Sequence, residues 1–295
     1  MTLEKNLKFK PDNFTVPGKT FLVGEYAVLA GGACLGLGTN PSFSIELNFA
    51  RQTFHPDSPA GLYLRKNNLP NFSHEFNNPY GVGGFGASTA EFIFSYFSNP
   101  QASKKLEDIF YTYLELYSDR KEQKPSGADL VTQLIGGISH IDLAGGGPKV
   151  ERLSWSFKDL DFLIYSTGLK VKTHEHLSQL DRQICDGLVK PCEEVIAAFK
   201  TNDSGTFKSA LAGWSKKLEQ LGLTASEVVE LKTRLESHIP GILVKPCGAL
   251  GSDVVVILVA KEQKQSVLSQ IEALNLRGLT FQADSSHLAN GPLSI

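Results

Sequence analysis

Gly81-Val-Gly-Gly-Phe-Gly-Ala-Ser-Thr-Ala90 is a glycine-rich segment that runs directly into the apolar sequence Glu91-Phe-Ile-Phe-Ser-Tyr-Phe-Ser98. Glycines allow a backbone to turn tightly and to approach a ligand closely. Ser88 and Thr89 stand where a helix should begin, and the free N–H groups and positive dipole end of a helix favour an anion there. A hydroxyl at this place can also ligate Mg²⁺ on a nucleotide. The segment indicates phosphate binding, although an ordinary glycine loop with a Ser or Thr N-cap is the alternative.

Two common phosphate-binding motifs do not explain this segment. Gly81, Gly83 and Gly86 satisfy the pattern G-x-G-x-x-G, but that fingerprint needs a buried strand just before it. The preceding stretch, Ser73-His-Glu-Phe-Asn-Asn-Pro-Tyr80, is too polar for such a strand. A Walker loop needs Gly-Lys-Ser/Thr after four spacers, and no lysine follows Gly86. The segment therefore predicts phosphate binding by a different architecture.

Three more segments combine glycine with residues that carry chemistry. Val16-Pro-Gly-Lys-Thr-Phe-Leu-Val-Gly-Glu-Tyr-Ala-Val-Leu29 contains a turn, a lysine, a short strand and an acidic–aromatic step. Ser126-Gly-Ala-Asp129 opens a predicted helix, and Lys245-Pro-Cys-Gly-Ala-Leu-Gly-Ser-Asp253 runs into an apolar strand. From the residues alone, Lys19 could be a solvated lysine of a turn and Asp129 a helix cap.

Composition excludes several classes of protein. The chain has 295 residues, of which 41% are hydrophobic and 20% are charged, so it holds enough apolar material for a core and is not disordered. Its formal net charge of −2 argues against a globally basic nucleic-acid binder. No stretch reaches the apolar length of a membrane helix, and the N-terminal residues lack the apolar region of a secretory signal. The four cysteines are widely spaced, which disfavours a zinc site or a disulfide framework and favours reduced thiols in a cytoplasmic protein.

Hydrophobic periodicity predicts an α+β chain of two halves. A glycine turn at 145–148 predicts a boundary between a first domain, residues 1–150, and a second, residues 151–295. In the first, the pattern predicts strands at 20–23 and 42–49, an irregular polar stretch at 51–80, and helices at 88–98, 103–117 and 127–136. In the second, it predicts strands at 162–165, 242–245, 254–259 and 279–283, and helices at 173–199, 205–221, 225–237 and 262–274.

Taken together, the glycine segments resemble the motifs of the GHMP kinase superfamily, the small-molecule kinases named for galactokinase, homoserine kinase, mevalonate kinase and phosphomevalonate kinase. The family's motifs read Pro-Gly-Lys…Gly-Glu-(His/Tyr)-x-Val, Gly-Leu-Gly-Ser-Ser-Ala, Ser-Gly-x-Asp before a helix and a Gly-Gly, and Lys-x-x-Gly-Ala-Gly-Gly-Gly. This chain has similar segments in the same order, at residues 17–28, 84–90, 126–137 and 245–252. The resemblance spans nearly the whole chain, and four motifs are far more specific than any one of them.

The resemblance implies a fold and a cleft. It implies an α+β, two-lobed GHMP kinase fold, with the family's βαβ arrangement in the N-terminal lobe (1–150) and a ferredoxin-like C-terminal lobe (151–295). ATP, with Mg²⁺, and a small-molecule substrate would meet between the lobes. The implied protein is a monomer or a homodimer, and neither a nucleic acid nor a membrane is among its expected partners.

The resemblance also implies roles for individual residues. Asp129 is similar to the family's catalytic aspartate, and Lys19 is similar to the lysine near the acceptor oxygen. Ser88 is the expected Mg²⁺ ligand. The residues expected to hold the nucleotide phosphates are Gly83, Gly84, Phe85, Gly86, Ala87, Ser88 and Thr89. Those expected on the substrate side are Lys19, Glu25, Tyr26, Ser126, Gly127, Lys170, Lys172, Gly248, Ala249 and Gly251.

Within the superfamily, the mevalonate branch fits best. Gly24-Glu-Tyr-Ala-Val28 resembles phosphomevalonate kinases of the bacterial type, whereas mevalonate kinases usually have Glu-His at this step. Asp253 stands where phosphomevalonate kinases often have an aspartate after the glycines. The first hypothesis is therefore ATP-dependent phosphorylation of 5-phosphomevalonate to 5-diphosphomevalonate in the mevalonate pathway of isoprenoid biosynthesis. A mevalonate kinase that phosphorylates the 5-hydroxyl of mevalonate is the alternative.

The acceptor determines which groups the chemistry needs. A mevalonate hydroxyl is neutral, so Asp129 would orient it or take its proton. A phosphomonoester is mostly dianionic at neutral pH and is already a nucleophile. Its kinase should depend on cations more than on a base, because two anionic phosphates must be brought together. The candidate cations are Lys19, Lys170 and Lys172, and the last two would share one face of a strand. A solvated basic face is the alternative for that pair.

Several residues depart from the family pattern. Leu250 and Ser252 stand where the family usually has glycines, and a Leu side chain restricts φ and fills space. Ala87 replaces the first serine of Ser-Ser. The glutamate that usually binds Mg²⁺ has no counterpart at the right spacing, although Glu115 and Asp119 are near it in sequence. These departures support a third hypothesis, a non-catalytic binding protein with the GHMP fold.

Overall fold

The long strand β2 (Ala33–Glu46) organises the first sheet of the computed structural model, which describes residues 14–46, 53–81, 83–118, 124–169, 180 and 182–293. β1 (Thr15–Val23) pairs antiparallel with one edge of β2. β4 (Gly137–Asp142) pairs antiparallel with β2 in turn, so β1 and β4 run in the same direction. The short β3 (Glu75–Asn77) pairs with the end of β2, and β5 (Lys149–Leu153) completes the sheet beside β4.

Among the described residues between β2 and β4, four helices cover this sheet. They are α1 (Pro59–Lys66), α2 (Ala87–Phe97), α3 (Leu106–Glu115) and α4 (Ala128–Ile135). α4 packs on β1, β2 and β4, and α2 lies between α1 and α4. Because α2 is surrounded in this way, its apolar residues are buried on several faces, as expected for a helix without a polar side.

The second sheet has a ferredoxin-like topology. Its strands are β6 (Leu160–Ser166), β7 (Leu243–Cys247), β8 (Val254–Ala260) and β9 (Thr280–Asp284), in the antiparallel order β7-β8-β6-β9. Between β6 and β7 the chain forms α5 (Arg182–Lys200), α6 (Ser204–Gln220) and α7 (Ser226–His238), and α8 (Lys264–Ala273) connects β8 to β9. The β-α-β-β-α-β succession is that of the ferredoxin-like fold. The predicted α+β class is therefore confirmed.

The apolar run in β8 serves two cores. Val254, Val256 and Leu258 belong to the large core that also contains residues of the first sheet. Val255, Ile257 and Val259 point to the opposite face, into a second core with residues of α7 and α8. Since side chains alternate along a strand, a strand buried on both faces must be apolar throughout.

Two expectations about the chain were wrong. Residues 51–80 were predicted to be irregular, yet they contain α1 and β3, because Ala60, Tyr63 and Leu64 supply a buried face within a polar stretch. The glycine turn at 145–148 was predicted to separate two domains, but it connects β4 to β5 within one sheet. The expected boundary after residue 150 thus falls inside β5. The division into two domains stays a prediction, and the second sheet begins at Leu160.

The C-terminal segment returns from the second sheet to the first. The Gly137 N–H donates to the Ala289 carbonyl at 2.7 Å, and the Ala289 N–H donates to the Gly38 carbonyl at 3.0 Å. Gly136, at the end of α4, has a φ of 71°, and a Cβ there would stand 2.2 Å from the Ala289 oxygen. Glycine is therefore required at position 136 by its positive φ and by this close backbone approach.

Two further properties bear on the sequence-based expectations. Within the described ranges, none of the helices has both the length and the apolar character of a membrane span. All four cysteines are buried and lie outside any disulfide bond. Burial raises the pKa values of Cys34, Cys192 and Cys247, so these side chains stay protonated and unreactive.

A buried ion pair joins the two halves of the chain. Glu25 follows β1, and its Oε1 atom accepts a hydrogen bond from the Lys245 ammonium in β7. The side chain of Lys245 has no exposed surface, and that of Glu25 is 4% exposed. Lys245 Nζ also donates to the Phe21 carbonyl at 3.2 Å. Burial alone would lower the pKa of Lys245, but Cys247 and Glu25 outweigh it and hold the pKa above its ordinary value.

We expect Glu25→Gln to lower the free energy of unfolding by about 3–5 kcal/mol, because it leaves the Lys245 ammonium buried without a counter-charge. Urea denaturation measures this loss. Glu115→Gln is the matched control, since Glu115 pairs with Lys66 at 3.0 Å on the surface, and exposed pairs contribute less than about 1 kcal/mol. The double variant Glu25→Gln/Lys245→Met should be more stable than Glu25→Gln alone. Equal, small losses in Glu25→Gln and in the control would contradict this role of the pair.

Candidate functional site

Lys19 and Asp129, the two predicted catalytic residues, are in contact. Lys19 lies in β1 and Asp129 in the first turn of α4, and their Nζ and Oδ1 atoms are 2.8 Å apart. The Lys19 side chain is 11% exposed, whereas that of Asp129 is 41% exposed. The first turn of a helix suits a carboxylate, because the dipole is positive there. The packing of α4 on β1 thus creates an ion pair that is open on the aspartate side.

The glycine-rich loop lies directly on Lys19. The Lys19 N–H donates to the Phe85 carbonyl at 3.0 Å. Phe85 is buried and stacks on Tyr80 with ring centroids 4.0 Å apart. Gly86 has a φ of 87°, and a Cβ at this position would stand 2.9 Å from Lys19 Cγ. The loop therefore needs glycine at this point both for its conformation and for its approach to the lysine.

Gly86 is the N-cap of α2, and no side chain caps the helix. The Ser or Thr N-cap considered as the alternative is therefore not formed. The first hydrogen bond of the helix runs from the Ala90 N–H to the Gly86 carbonyl. The N–H groups that precede Ala90 have no partner within the helix, and such groups bind a ligand or water. This arrangement suits an anion.

The two hydroxyls of the first turn of α2 have different surroundings. Ser88 is exposed beside the loop, as is Gly83, and is available to a ligand. Thr89 is buried near Tyr113, and burial raises the pKa of the Tyr113 phenol. Ala87, the departure from the Ser-Ser pattern, packs against the core. The structure thus places Ser88 among the accessible residues of the loop and turns Thr89 away.

The fourth motif, at residues 245–253, contacts the loop through Asp253. A Cβ on Gly84, where φ is 95°, would stand 2.4 Å from the Cβ of Asp253. Burial raises the pKa of Asp253, and the charge of Lys19 acts in the opposite direction. Lys19 therefore has two carboxyl groups in its surroundings, those of Asp129 and Asp253. Asp253 was not predicted as a site residue, although its position directly after the glycine motif pointed to it.

Leu250 adopts the backbone conformation of a glycine. Its φ is 54° and its ψ is 17°, which is the left-handed region. The Leu250 N–H donates to the Tyr26 hydroxyl at 2.8 Å, and its carbonyl accepts from the Ala225 N–H at 2.9 Å. Gly248 and Gly251 on either side also have positive φ, and Gly251 is pressed against Pro246. The backbone at Leu250 thus adopts a conformation that glycine reaches most easily.

Other residues expected on the substrate side have structural partners. Glu25 is buried against Lys245, and Tyr26 is buried with its hydroxyl in contact with the Leu223 carbonyl as well as with Leu250. Burial raises the pKa of Tyr26 well above its ordinary value. Both residues thus connect the first motif to the fourth. A direct contact with a substrate stays a prediction for them.

The remaining expected residues fall into two groups. The Ser126 hydroxyl accepts from the Ala128 N–H at 3.2 Å, and Gly127 caps α4 with a φ of 79°, where a Cβ would stand 2.4 Å from the Phe110 ring. They therefore set the start of the helix that carries Asp129. Lys170 and Lys172 lie outside the described residues.

The residues present fit a magnesium ion that arrives with a nucleotide. Mg²⁺ usually keeps several waters and is bound by one or two carboxylates together with phosphate oxygens. The exposed Ser88 hydroxyl and the carboxyl groups of Asp129 and Asp253 supply oxygen donors of this kind. Glu115 pairs with Lys66 at the surface, and Asp119 is outside the described residues. The described part of the chain has no cluster of three or more metal-binding side chains.

Comparison with known proteins rests on structure. No protein-family model matches the chain, and no curated protein sequence matches it. The phosphomevalonate kinase of Streptococcus pneumoniae, in complex with phosphomevalonate and AMPPNP, has a TM-score of 0.71 and 16% identity, and the match covers 92% of this chain and 98% of that one. The Methanococcus jannaschii mevalonate kinase has a TM-score of 0.67 and 17% identity over 94% and 98% of the two chains. The Lactococcus lactis galactokinase, complexed with galactose, has a TM-score of 0.73 and 11% identity over 94% and 93%. Since all three matches cover nearly the whole length of both chains, the protein has the fold of the GHMP kinases.

Proposed function

We propose that this protein is an ATP-dependent small-molecule kinase, and that its acceptor is 5-phosphomevalonate. The observation that carries the proposal is the contact between Lys19 and Asp129 beside an uncapped helix N-terminus. Phosphoryl transfer depends on positioning and on positive charge around the transferred group rather than on covalent catalysis. A cation, a carboxylate and free backbone N–H groups in one place are what this reaction requires of a protein.

The loop and α2 would bind the nucleotide phosphates. Backbone N–H groups at Ala87 and Ser88, together with the dipole of α2, favour the phosphate charge. Gly84 and Gly86 allow the loop backbone to approach it closely. When bound with ATP, Mg²⁺ neutralises charge on the phosphates, and Ser88 would contribute a hydroxyl ligand. The complex of a fold neighbour with AMPPNP supports nucleotide binding by this architecture.

Lys19 would neutralise the charge that builds up when donor and acceptor phosphates meet. Its ammonium is held at 2.8 Å from Asp129, and its backbone N–H holds the loop. A phosphate acceptor is already ionised near neutral pH, so Asp129 would orient Lys19 rather than take a proton. The complex of a fold neighbour with phosphomevalonate supports this choice of acceptor.

Mevalonate is the second candidate acceptor, and the exposure of Asp129 favours it. A carboxylate that is 41% exposed beside a lysine can accept the proton of a substrate hydroxyl. The match to a mevalonate kinase from Methanococcus jannaschii is nearly as close as that to the phosphomevalonate kinase. Cytoplasmic location and a monomeric or homodimeric state remain predictions.

A non-catalytic binding protein is the third candidate. It was suggested by Leu250 and Ala87, but Leu250 keeps the positive φ that the loop needs. The backbone of Leu250 is therefore no argument for altered chemistry, and only its side chain is. We propose that Leu250 adjusts the shape of the substrate side and does not abolish turnover.

We expect ADP release from ATP and Mg²⁺ with 5-phosphomevalonate and little or none with mevalonate. A coupled ADP-release assay with the two acceptors in parallel measures this on the purified protein. Turnover with mevalonate alone would replace the first acceptor by the second. Nucleotide binding without turnover on either acceptor would support the non-catalytic reading.

We expect Lys19→Ala to lower kcat by about 10³-fold, because it removes a preorganised cation from the site. Asp129→Asn should lower kcat less, by about tenfold, if the acceptor is a phosphate that needs no base. Steady-state kinetics on both variants test this, with Lys216→Ala on the exposed face of α6 as the matched control. A larger loss in Asp129→Asn than in Lys19→Ala would indicate a hydroxyl acceptor.

A further inference from the structure

Gln133 lies on α4 one helical turn after Asp129, on the same side of the helix. It has no exposed surface. Nothing in the motif pattern pointed to it, because a glutamine within an apolar helix has no recognisable signature. Its surroundings, however, are the functional segments themselves.

The amide of Gln133 reaches both the first motif and the glycine-rich loop. Its Nε2 atom donates to the Pro17 carbonyl at 2.8 Å. Its Oε1 atom is buried without a hydrogen-bond partner among the described residues. A Cβ on Gly86 would stand 2.9 Å from that oxygen and 2.9 Å from Lys19 Cγ. One side chain thus touches the turn before Lys19 and the residue that caps α2.

The bond to Pro17 lies at an irregular point of the first sheet. Pro17 pairs with Ser42 and Gly18 pairs with Thr39, so β2 has two extra residues opposite this step. Such irregularities change the direction in which the next side chain points and are common beside active sites. The next side chain here is that of Lys19.

The amide of Gln133 has both a benefit and a cost at this place. It pairs the Pro17 carbonyl, which an apolar side chain of the same length would leave without this donor, but its own Oε1 atom is buried without a partner among the described residues. The contact holds the backbone of β1 at Pro17, two residues before Lys19, against α4.

We propose that Gln133 is a positioning residue that fixes Lys19 relative to the N-terminus of α2, and hence relative to the phosphates bound there. Gln133 would act through the Pro17 carbonyl and through its contact with Gly86, without touching a substrate. The catalytic part of this inference rests on the proposed kinase function. Its structural part, the restraint on β1 and on the loop, does not.

The test compares Gln133→Met with Asn71→Leu. Methionine keeps the length of the side chain but cannot donate to Pro17. Asn71 is the matched control, since its amide also donates to a backbone carbonyl, that of Phe54, at 2.8 Å. Asn71 is not part of the site around Lys19. We expect Gln133→Met to lower kcat by about 10–100-fold, with KM for ATP changed less than about threefold. Asn71→Leu should leave kcat unchanged at a temperature where both variants are folded.

A second variant gives a signature that loss of stability alone would not give. In Gln133→Glu, only the protonated carboxyl can donate to Pro17. Burial and the Asp129 carboxylate one helical turn away raise the pKa of such a group, whereas the Lys19 ammonium lowers it. We expect the first two effects to dominate, so the ratio of kcat for this variant to kcat for the wild type should rise by at least about threefold between about pH 8 and about pH 6. A ratio that stays close to one over this range would contradict the role of the Pro17 bond.

Amide hydrogen exchange separates this proposal from the proposed function. In Gln133→Met, exchange should become about tenfold faster in peptides that cover 17–20 and 84–90, and should be unchanged in the second sheet. This measurement is informative even if the wild type turns over neither acceptor. Unchanged exchange would overturn the restraint, and faster exchange with an undiminished kcat would overturn its catalytic importance.

Discussion

The buried ion pair between Glu25 and Lys245 determines how the first motif packs against the fourth, at residues 245–253. Both charges are removed from water, so each needs the other, and Lys245 needs the Phe21 carbonyl as well. An ion pair of this kind has a narrow range of geometries, because the desolvated groups cannot exchange a lost partner for water. The neighbouring contacts follow from it. Tyr26, next to Glu25, reaches Leu250, and the same approach places Asp253 against Gly84.

The charge balance around Lys19 is a consequence of this arrangement. Asp129 lies in α4 and Asp253 in the fourth motif, so the two carboxyl groups approach the lysine from different parts of the fold. The uncapped end of α2 adds partial positive charge on the loop side. An arriving phosphate would find a cation already oriented by Asp129 and backbone donors already in place. Such a site needs little reorganisation, which is the condition under which electrostatic stabilisation is effective.

The sequence predicted the local structure where one physical signal was dominant. The apolar residues after Ser88 predicted α2, and the run after Asp253 predicted β8, because a strand buried on both faces has no polar positions. α1 was missed because its apolar residues are few and lie in a polar stretch. The hairpin of β4 and β5 was missed because its glycine turn has the composition of a linker. Gln133 could not have been found, since its importance lies in the distant residues that it contacts.

Leu250 shows why a departure from a glycine motif is weak evidence for a changed backbone. The left-handed conformation costs a non-glycine residue about 1–2 kcal/mol. Two backbone hydrogen bonds, from the Leu250 N–H to Tyr26 and from the Ala225 N–H to the Leu250 carbonyl, each contribute about 0.5–1.5 kcal/mol, which is enough to offset that cost. The shape of the loop is therefore maintained by its partners, and Tyr26 is itself held by its neighbour in the buried ion pair. A glycine motif specifies a backbone path, and a chain that fixes the same path by tertiary contacts can do without one of the glycines.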